Sequence, residues 1–268
     1  MSDFFDSHAG VASQPPVDSL ECWLKDRLCD ARLALSGRLH RIEGAASATP
    51  RKRVLIVGVA APSRPGQLEQ VTAAMANSRH SVDVSTIDMK PQGKFANIDE
   101  AIATAAHPLS SYDWLVVTDD DVALPPRFLD RYLALAAAAS LSVSQPAHCY
   151  ASYASYAITR RRLGSLVRRS GFIEIGPVTV IRADAFADLI PFPPSRWCYG
   201  IDAVWSELAV RRDWTMGIVD AAPIRHLKPV AATYDKSEAF AEGRALLDQF
   251  GVKTPRSEML QTQPLIPA

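Results

Sequence analysis

Cysteine is scarce: the 268-residue chain has four, Cys22, Cys29, Cys149 and Cys198. Four thiols in so long a chain do not make a disulfide scaffold, and none forms a CxxC pair, which argues against a structural zinc site. They read as reduced packing thiols, the habit of a cytoplasmic protein. An excess of either charge is also missing. Lys+Arg and Asp+Glu are 29 each, so no global field favours nucleic acid as a partner. Glycine-rich phosphate loops are absent, since neither GxGxxG nor GxxxxGK[ST] occurs and Gly58 stands alone. The most apolar stretch, 132–143, falls short of the ~20 residues of a membrane span and is interrupted by Ser140 and Ser142. The amino terminus, MSDFFDSHAG, has acids where a secretory signal needs bases. The rest, 48% hydrophobic and 22% charged, is ordinary globular usage and excludes a disordered or fibrous chain. No internal repeat is found, so the chain reads as one large domain with appendages.

Three segments follow. Residues 1–49 comprise a polar tail with Pro15-Pro16 and then an amphipathic helix. Asp18 is a good cap with Glu21 three positions on, and Leu20, Trp23, Leu24, Leu28, Ala31, Leu35, Leu39 and Ile42 recur at helical steps. Such a helix either packs on the main domain or lies on a membrane surface or partner. The small polar stretch 44–50 reads as a linker.

The main domain, 50–235, alternates apolar runs with helical patterns. Strands are expected at 54–59, 81–87 and 114–118, and helices at 67–78, 97–106 and 125–139. Continuous apolar runs such as 54–59 suit strands buried on both faces, and the alternation predicts a doubly wound α/β sheet. Later elements are shorter: strands at 171–175, 178–182 and 216–219, and helices at 184–190 and 201–211. Residues 236–250 read as a helix and 251–268 as a tail, which together make the third segment, 236–268.

In such sheets, ligands bind at the carboxyl ends of the strands. Those ends fall on Gly58-Val59-Ala60, on Asp88 and on Asp119-Asp120-Asp121. Adjacent acids repel unless a cation neutralises them. In extended backbone Asp119 and Asp121 point the same way and can share one ion, and hard oxygen ligands favour Mg²⁺ or Mn²⁺. The other reading is a solvated acidic turn. Without a glycine loop, a bound diphosphate needs metal and basic side chains, and Arg64 and Lys94 are placed to help or are surface cations. His226, after the last strand, is either structural or a third ligand. Asp202 opens a helix, where it complements the helix dipole or acts as a general base, with Trp197 and Tyr199 as flat surfaces for a sugar. Glu174 is either paired structurally or binds an acceptor. Tyr150, Tyr153 and Tyr156 with Arg160 to Arg162, Arg168 and Arg169 fit a nucleic-acid groove, but the zero net charge favours a mobile active-site loop or a solvated basic face.

With these residues placed, the chain resembles a GT-A-type nucleotide-sugar glycosyltransferase. The first strand, the acid Asp88 ending the second, the Gly93-Lys94…Asn97…Ala101 segment (similar to one in family 2 glycosyltransferases) and the DxD of Asp119-Asp120-Asp121 carry the likeness. The second half looks like the domain-of-unknown-function family 707, in Tyr112-Asp113-Trp114, Ser144-Gln145-Pro146-Ala147, Phe172-Ile173-Glu174-Ile175, Tyr199-Gly200-Ile201-Asp202 and Gly217-Ile218-Val219-Asp220 before His226-Leu227. The likeness covers residues 51–230.

The resemblance implies a GT-A-like, mostly parallel central sheet flanked by helices. It implies Mn²⁺ or Mg²⁺ on Asp119, Asp121 and His226. The donor, a nucleoside-diphosphate sugar with a UDP-sugar favoured, would lie against Val59, Ala60, Asp88, Lys94 and Asp120. A sugar or glycan acceptor would lie against Glu174, Trp197, Tyr199 and Gly200. Asp202 would be the base of an inverting transfer, although Ile201 stands where family 2 carries a second acid. The expected role is polysaccharide or glycoconjugate synthesis in the cytoplasm, with no nucleic acid, no membrane span and room for peripheral membrane contact. A nucleotidyltransferase acting on a sugar phosphate would need a basic glycine-rich loop where Val59-Ala60-Ala61-Pro62 stands. An aspartyl phosphatase would need Thr or Val at Ala123. A non-catalytic carbohydrate-binding module is the remaining alternative.

Overall fold

The structure, a computed structural model, describes residues 3–5, 17–229 and 236–268. Most of the expected amino-terminal tail and the boundary at 230–235 lie outside the described residues. Helix α1 (Leu20–Ala34) is followed by α2 (Gly37–Ser47). Strand β1 (Arg53–Ala60), α3 (Gln67–Ala76), β2 (Ser81–Asp88), α4 (Lys94–Ala103) and β3 (Trp114–Thr118) then form the alternating part. The chain continues through β4 (Val122–Ala123), α5 (Phe128–Ala138), β5 (Val143–His148), β6 (Ser165–Ser170) and β7 (Val178–Arg182). It ends with α6 (Phe186–Leu189), α7 (Ile201–Arg212), β8 (Met216–His226), α8 (Lys236–Gln249), α9 (Arg256–Met259) and β9 (Thr262–Pro267).

The sheet order is β2-β1-β3-β7-β5-β8-β6-β9, with the two-residue β4 on the end of β8. Pairing fixes the directions: β2, β1, β3, β5, β8 and β9 run one way, whereas β7 and β6 run against them. The sheet is thus mostly parallel, as expected, and mixed by virtue of those two strands. β1 shows why its sequence is continuously apolar. Leu55, Val57 and Val59 point into one core with Phe95, Ile98, Val204 and Trp205 of α4 and α7. Val54 and Ile56 point into the other, with Val71, Met75, Leu129 and Leu133 of α3 and α5.

Several expectations change. The single amino-terminal helix is broken at Ser36, whose hydroxyl accepts the Leu39 N–H at 3.2 Å and caps α2. Ser19 rather than Asp18 caps α1, and the expected linker is helical as far as Ser47. β5 and β6 were not expected, and 171–175 is irregular backbone rather than a strand. The carboxyl terminus is not a tail: β9 pairs with β6, and Leu246, Leu247, Val252 and Met259 enter the core. Phe4 also enters it, at 2% exposure, while its carbonyl accepts from Arg256 at 2.7 Å.

One ion pair sits wholly inside. Arg168 on β6 and Asp220 on β8 are each 1% exposed and meet at 2.8 Å. The guanidinium also donates to the carbonyls of Ile158 and Arg160, and Asp220 also accepts the Arg162 N–H. Removing one partner strands a buried charge. Asp220→Ala is expected to cost about 3–5 kcal/mol, read as a lower urea midpoint. Arg168→Met with Asp220→Leu is expected to recover only part of that loss, because the Ile158 and Arg160 carbonyls and the Arg162 N–H lose their side-chain partners.

Candidate active site

The acids leave β3 at the carboxyl end of the sheet. β4 then pairs antiparallel with the end of β8, Val122 opposite His226, and the Leu227 N–H donates to the Asp121 carbonyl at 2.9 Å. This register brings the far end of the chain to the acids: His226 Nε2 lies 3.2 Å from Asp121 Oδ1. The His226 N–H donates to Ser152 Oγ at 2.8 Å, and the same hydroxyl lies 3.1 Å from His148 Nδ1.

Two cations occupy the rest of the triplet. Arg64, from the loop after β1, reaches Asp120 at 2.8 Å and Asp121 at 2.5 Å. Lys94 reaches Asp119 at 2.6 Å. Gly93 lets α4 start there. Its φ is +96°, and a Cβ on it would lie 2.6 Å from the Ser195 carbonyl oxygen, so only glycine fits. Burial alone would raise the Asp121 pKa, but the His226 and Arg64 contacts outweigh it and hold the carboxyl at about 2. Asp120 is pushed the other way, because burial outweighs Arg64, and its Oδ2 is buried without a hydrogen-bond partner. Burial also opposes the Lys94 ammonium, but Asp119 raises its pKa above the ordinary value.

The expected three-ligand metal set is not gathered: among the described residues no three His, Cys, Asp or Glu side chains converge to hold an ion. Lys94 holds Asp119, which leaves Asp121 and His226 as the adjacent pair. A carboxylate oxygen beside an imidazole nitrogen fits Mn²⁺ better than Mg²⁺. Two protein ligands are enough where substrate phosphates and waters complete the shell.

Asp202 sits in the first turn of α7, 7% exposed. Burial pushes its carboxyl up to about 7, with the Glu174 charge adding to the rise and the Ala203 N–H opposing it. That N–H donates to Asp202 Oδ1 at 2.9 Å. Glu174 is also buried, held above the ordinary carboxylate range by desolvation, with hydrogen bonding from Ser155 and then His226 and Lys94 acting against that rise. Its N–H donates to Gln145 Oε1 at 2.5 Å. His148 Nε2 approaches Glu174 Oε2 at 3.8 Å, yet burial drives the His148 pKa down to about 3. The two are therefore not an ion pair, and neither of those atoms has a hydrogen-bond partner.

The remaining expected residues are placed as follows. Ala60 pairs with Asp88 across β1 and β2. Asp88 is exposed, whereas the Val59 side chain is in the core. Gly200 takes a left-handed φ of +86° to start α7, and a Cβ on it would come within 3.1 Å of the Gly243 carbonyl oxygen. The Tyr199 ring packs against Phe5 and Phe240, centroids 6.4 and 5.3 Å away. The Arg196 guanidinium lies 4.8 Å from the Trp197 ring centre. Sequence reasoning passed over His148 and Ser152, and quoted Gln145 only as part of a resemblance block. They lie on or just after β5, whose residues are all buried, so no alternation marked the strand.

A cavity of about 620 Å³ opens elsewhere, lined by Ile42, Trp114 and Leu133 among others. It lies at the amino ends of β1 and β3. Lys52, Arg131 and Arg182 on its wall are paired with Asp113, Glu43 and Asp184. Most of the buried side-chain polar atoms without a hydrogen-bond partner among the described residues, including those of Arg64, Asp120, His148, Glu174 and His226, lie toward the opposite strand ends.

No protein-family model and no curated protein matches the chain. Solved structures similar to the chain include the following two. One is GalNAc-T7 with UDP, GalNAc and Mn²⁺, at TM-score 0.45 and 9% identity over 69% of this chain. The other is S. aureus TarS 1-349 in complex with UDP-GlcNAc, at TM-score 0.47 and 13% identity over 74% of this chain. The chain spans 45% and 66% of those two chains.

Proposed function

We propose that the chain is a glycosyltransferase that moves a sugar from a nucleoside-diphosphate sugar to a hydroxyl acceptor. The observation that carries this reading is the meeting of Asp121 and His226 at 3.2 Å, with Arg64 and Lys94 on the same acids. Charge is concentrated there in a form that a diphosphate with a divalent ion can exchange into. Asp121 and His226 would hold Mn²⁺, which supplies Lewis-acid neutralisation of the leaving diphosphate when bound. Arg64 and Lys94 would bind the donor's phosphates, a charge-assisted contact that strengthens as the leaving group gains charge.

Asp202 would take the acceptor's proton. A carboxyl held at about 7 is poised for a general base at neutral pH. Glu174, buried beside it, would orient the acceptor, and Trp197 would supply an apolar surface. Asp119 and Asp120 would steer Lys94 and Arg64 rather than bind the ion. The block resemblance to family 707 and the inverting outcome belong to the same proposal.

The test is thermal unfolding with UDP, with Mn²⁺ and with both. Stabilisation by UDP that requires Mn²⁺ is expected; at a ligand excess of 100 Kd it amounts to about 2.7 kcal/mol. Indifference to every nucleoside diphosphate would overturn the reading.

A further inference from the structure

Helix α1 is mounted with its apolar side outward. Its buried residues are Cys22 and Cys29, and on the same side Asp26 accepts the N–H groups of Tyr150 and Ala151 at 2.9 and 3.0 Å. The buried Arg161 donates to Asp26 and Asp30 at 3.4 and 2.9 Å. Asp26 is therefore spent inward, while Asp30 is shared between Arg161 and the helix surface. Facing solvent are Leu20, Trp23, Leu24, Leu28 and Leu35, between 52% and 80% exposed. A helix on a globular protein ordinarily turns its charges to water and its leucines to the core, so this reversal needs a cause.

The charges left outside supply it. Lys25, Arg27, Arg32, Arg38 and Arg41 are all exposed. Against them stand Asp18, Glu21 and Asp30, Glu21 bonded to Lys25 and Asp30 lying 3.9 Å from Arg27, so bases still outnumber acids there. The patch continues onto the body. Arg161 is followed by the exposed Arg162 and Leu163. Ala268 ties that turn to the helix, donating to the Gly164 carbonyl at 3.0 Å and accepting from Arg32 at 3.4 Å. A chain of zero net charge thus carries a local face of leucines, a tryptophan and bases.

We propose that this face docks on an anionic lipid bilayer, with the leucines and Trp23 in the headgroup region and the bases on the lipid phosphates. A second copy of the chain is the poorer occupant, because a symmetric contact would press the same bases against each other. A bilayer of anionic headgroups meets both the apolar and the basic character at once. The inference is independent of the sugar-transfer reading. It also sets the membrane close to the site, since the loop held by Asp26 continues to Ser152, which accepts the His226 N–H.

Flotation of the full chain with vesicles tests it. Vesicles of phosphatidylcholine with an equal part of phosphatidylglycerol are expected to carry the protein, and vesicles of phosphatidylcholine alone are not. Raising salt should release it. Leu24→Asp with Leu28→Asp should reduce the bound fraction at least tenfold, and Arg27→Glu with Arg38→Glu at least fivefold, with unchanged circular dichroism because all four side chains are exposed. Failure of the wild-type chain to float with anionic vesicles overturns the proposal, as does equal flotation of the leucine variant. A wild-type dimer in sedimentation that the leucine variant turns into monomer, without vesicle binding, would assign the face to a second copy instead.

Discussion

Asp202→Asn is expected to abolish transfer and to raise the melting temperature above neutral pH. The kinetic loss is the removal of a general base, on the order of 10²–10⁴ in kcat. The gain in stability follows from the same burial. An unfolded Asp ionises near 3.8, whereas in the folded chain burial holds Asp202 at about 7. Between those values the folded state keeps a proton that the unfolded state has released, so this group makes folding less favourable as pH rises. Above about 7 the full cost of about 4 kcal/mol is in force. Asparagine has nothing to ionise. The variant should therefore melt with the wild type at pH 4 and well above it at pH 8, by differential scanning calorimetry. The wild-type kcat/KM should climb with pH and level off past an inflection near 7. A variant that is inactive but no more stable at pH 8 would mean that the buried carboxyl is not strained in the way its surroundings imply.

The part of the fold written in short-range pattern was legible. β1, β2 and β3 with their helices follow from apolar runs and turns, and that pattern alone puts Asp119, Asp120 and Asp121 at a strand tip. What the pattern does not hold is pairing between distant segments. The strand at 178–182 was expected, but its insertion between β3 and β5 depends on contacts that no local window contains. β9 was hidden because Thr262–Pro267 opens on two polar residues and carries two prolines, which an edge strand tolerates. The helical stripe of α1 was legible as a stripe, but its direction was left open. Periodicity identifies a face without saying what it faces, and here Arg161 claims the acidic side. At the site, Asp121 and His226 were legible as chemistry. Not legible was that Lys94, at the start of α4, would pair with Asp119 and leave Asp121 beside His226.

Asp121→Asn should behave as the mirror image of Asp202→Asn. Asp121 is held at about 2, with His226 and Arg64 overcoming its burial. An acid whose pKa is lowered by folding adds stability above its unfolded value near 3.8 and loses it as pH falls toward 2. The substitution is therefore expected to cost about 2 kcal/mol at pH 7, with the gap to the wild type closing below about pH 4. Transfer should fall on the order of 10²–10³, and Mn²⁺ should no longer improve UDP binding in thermal unfolding. His226→Ala should also lose the Mn²⁺ effect, since it removes the other member of the pair. Retention of Mn²⁺-dependent UDP binding by both variants would place the ion elsewhere. The two Asp variants, compared across pH, separate the roles without reference to activity. One carboxylate is kept charged by cations and suits a ligand, and the other is kept near neutrality by burial and suits a proton carrier, a division of labour that environment alone imposes on identical side chains.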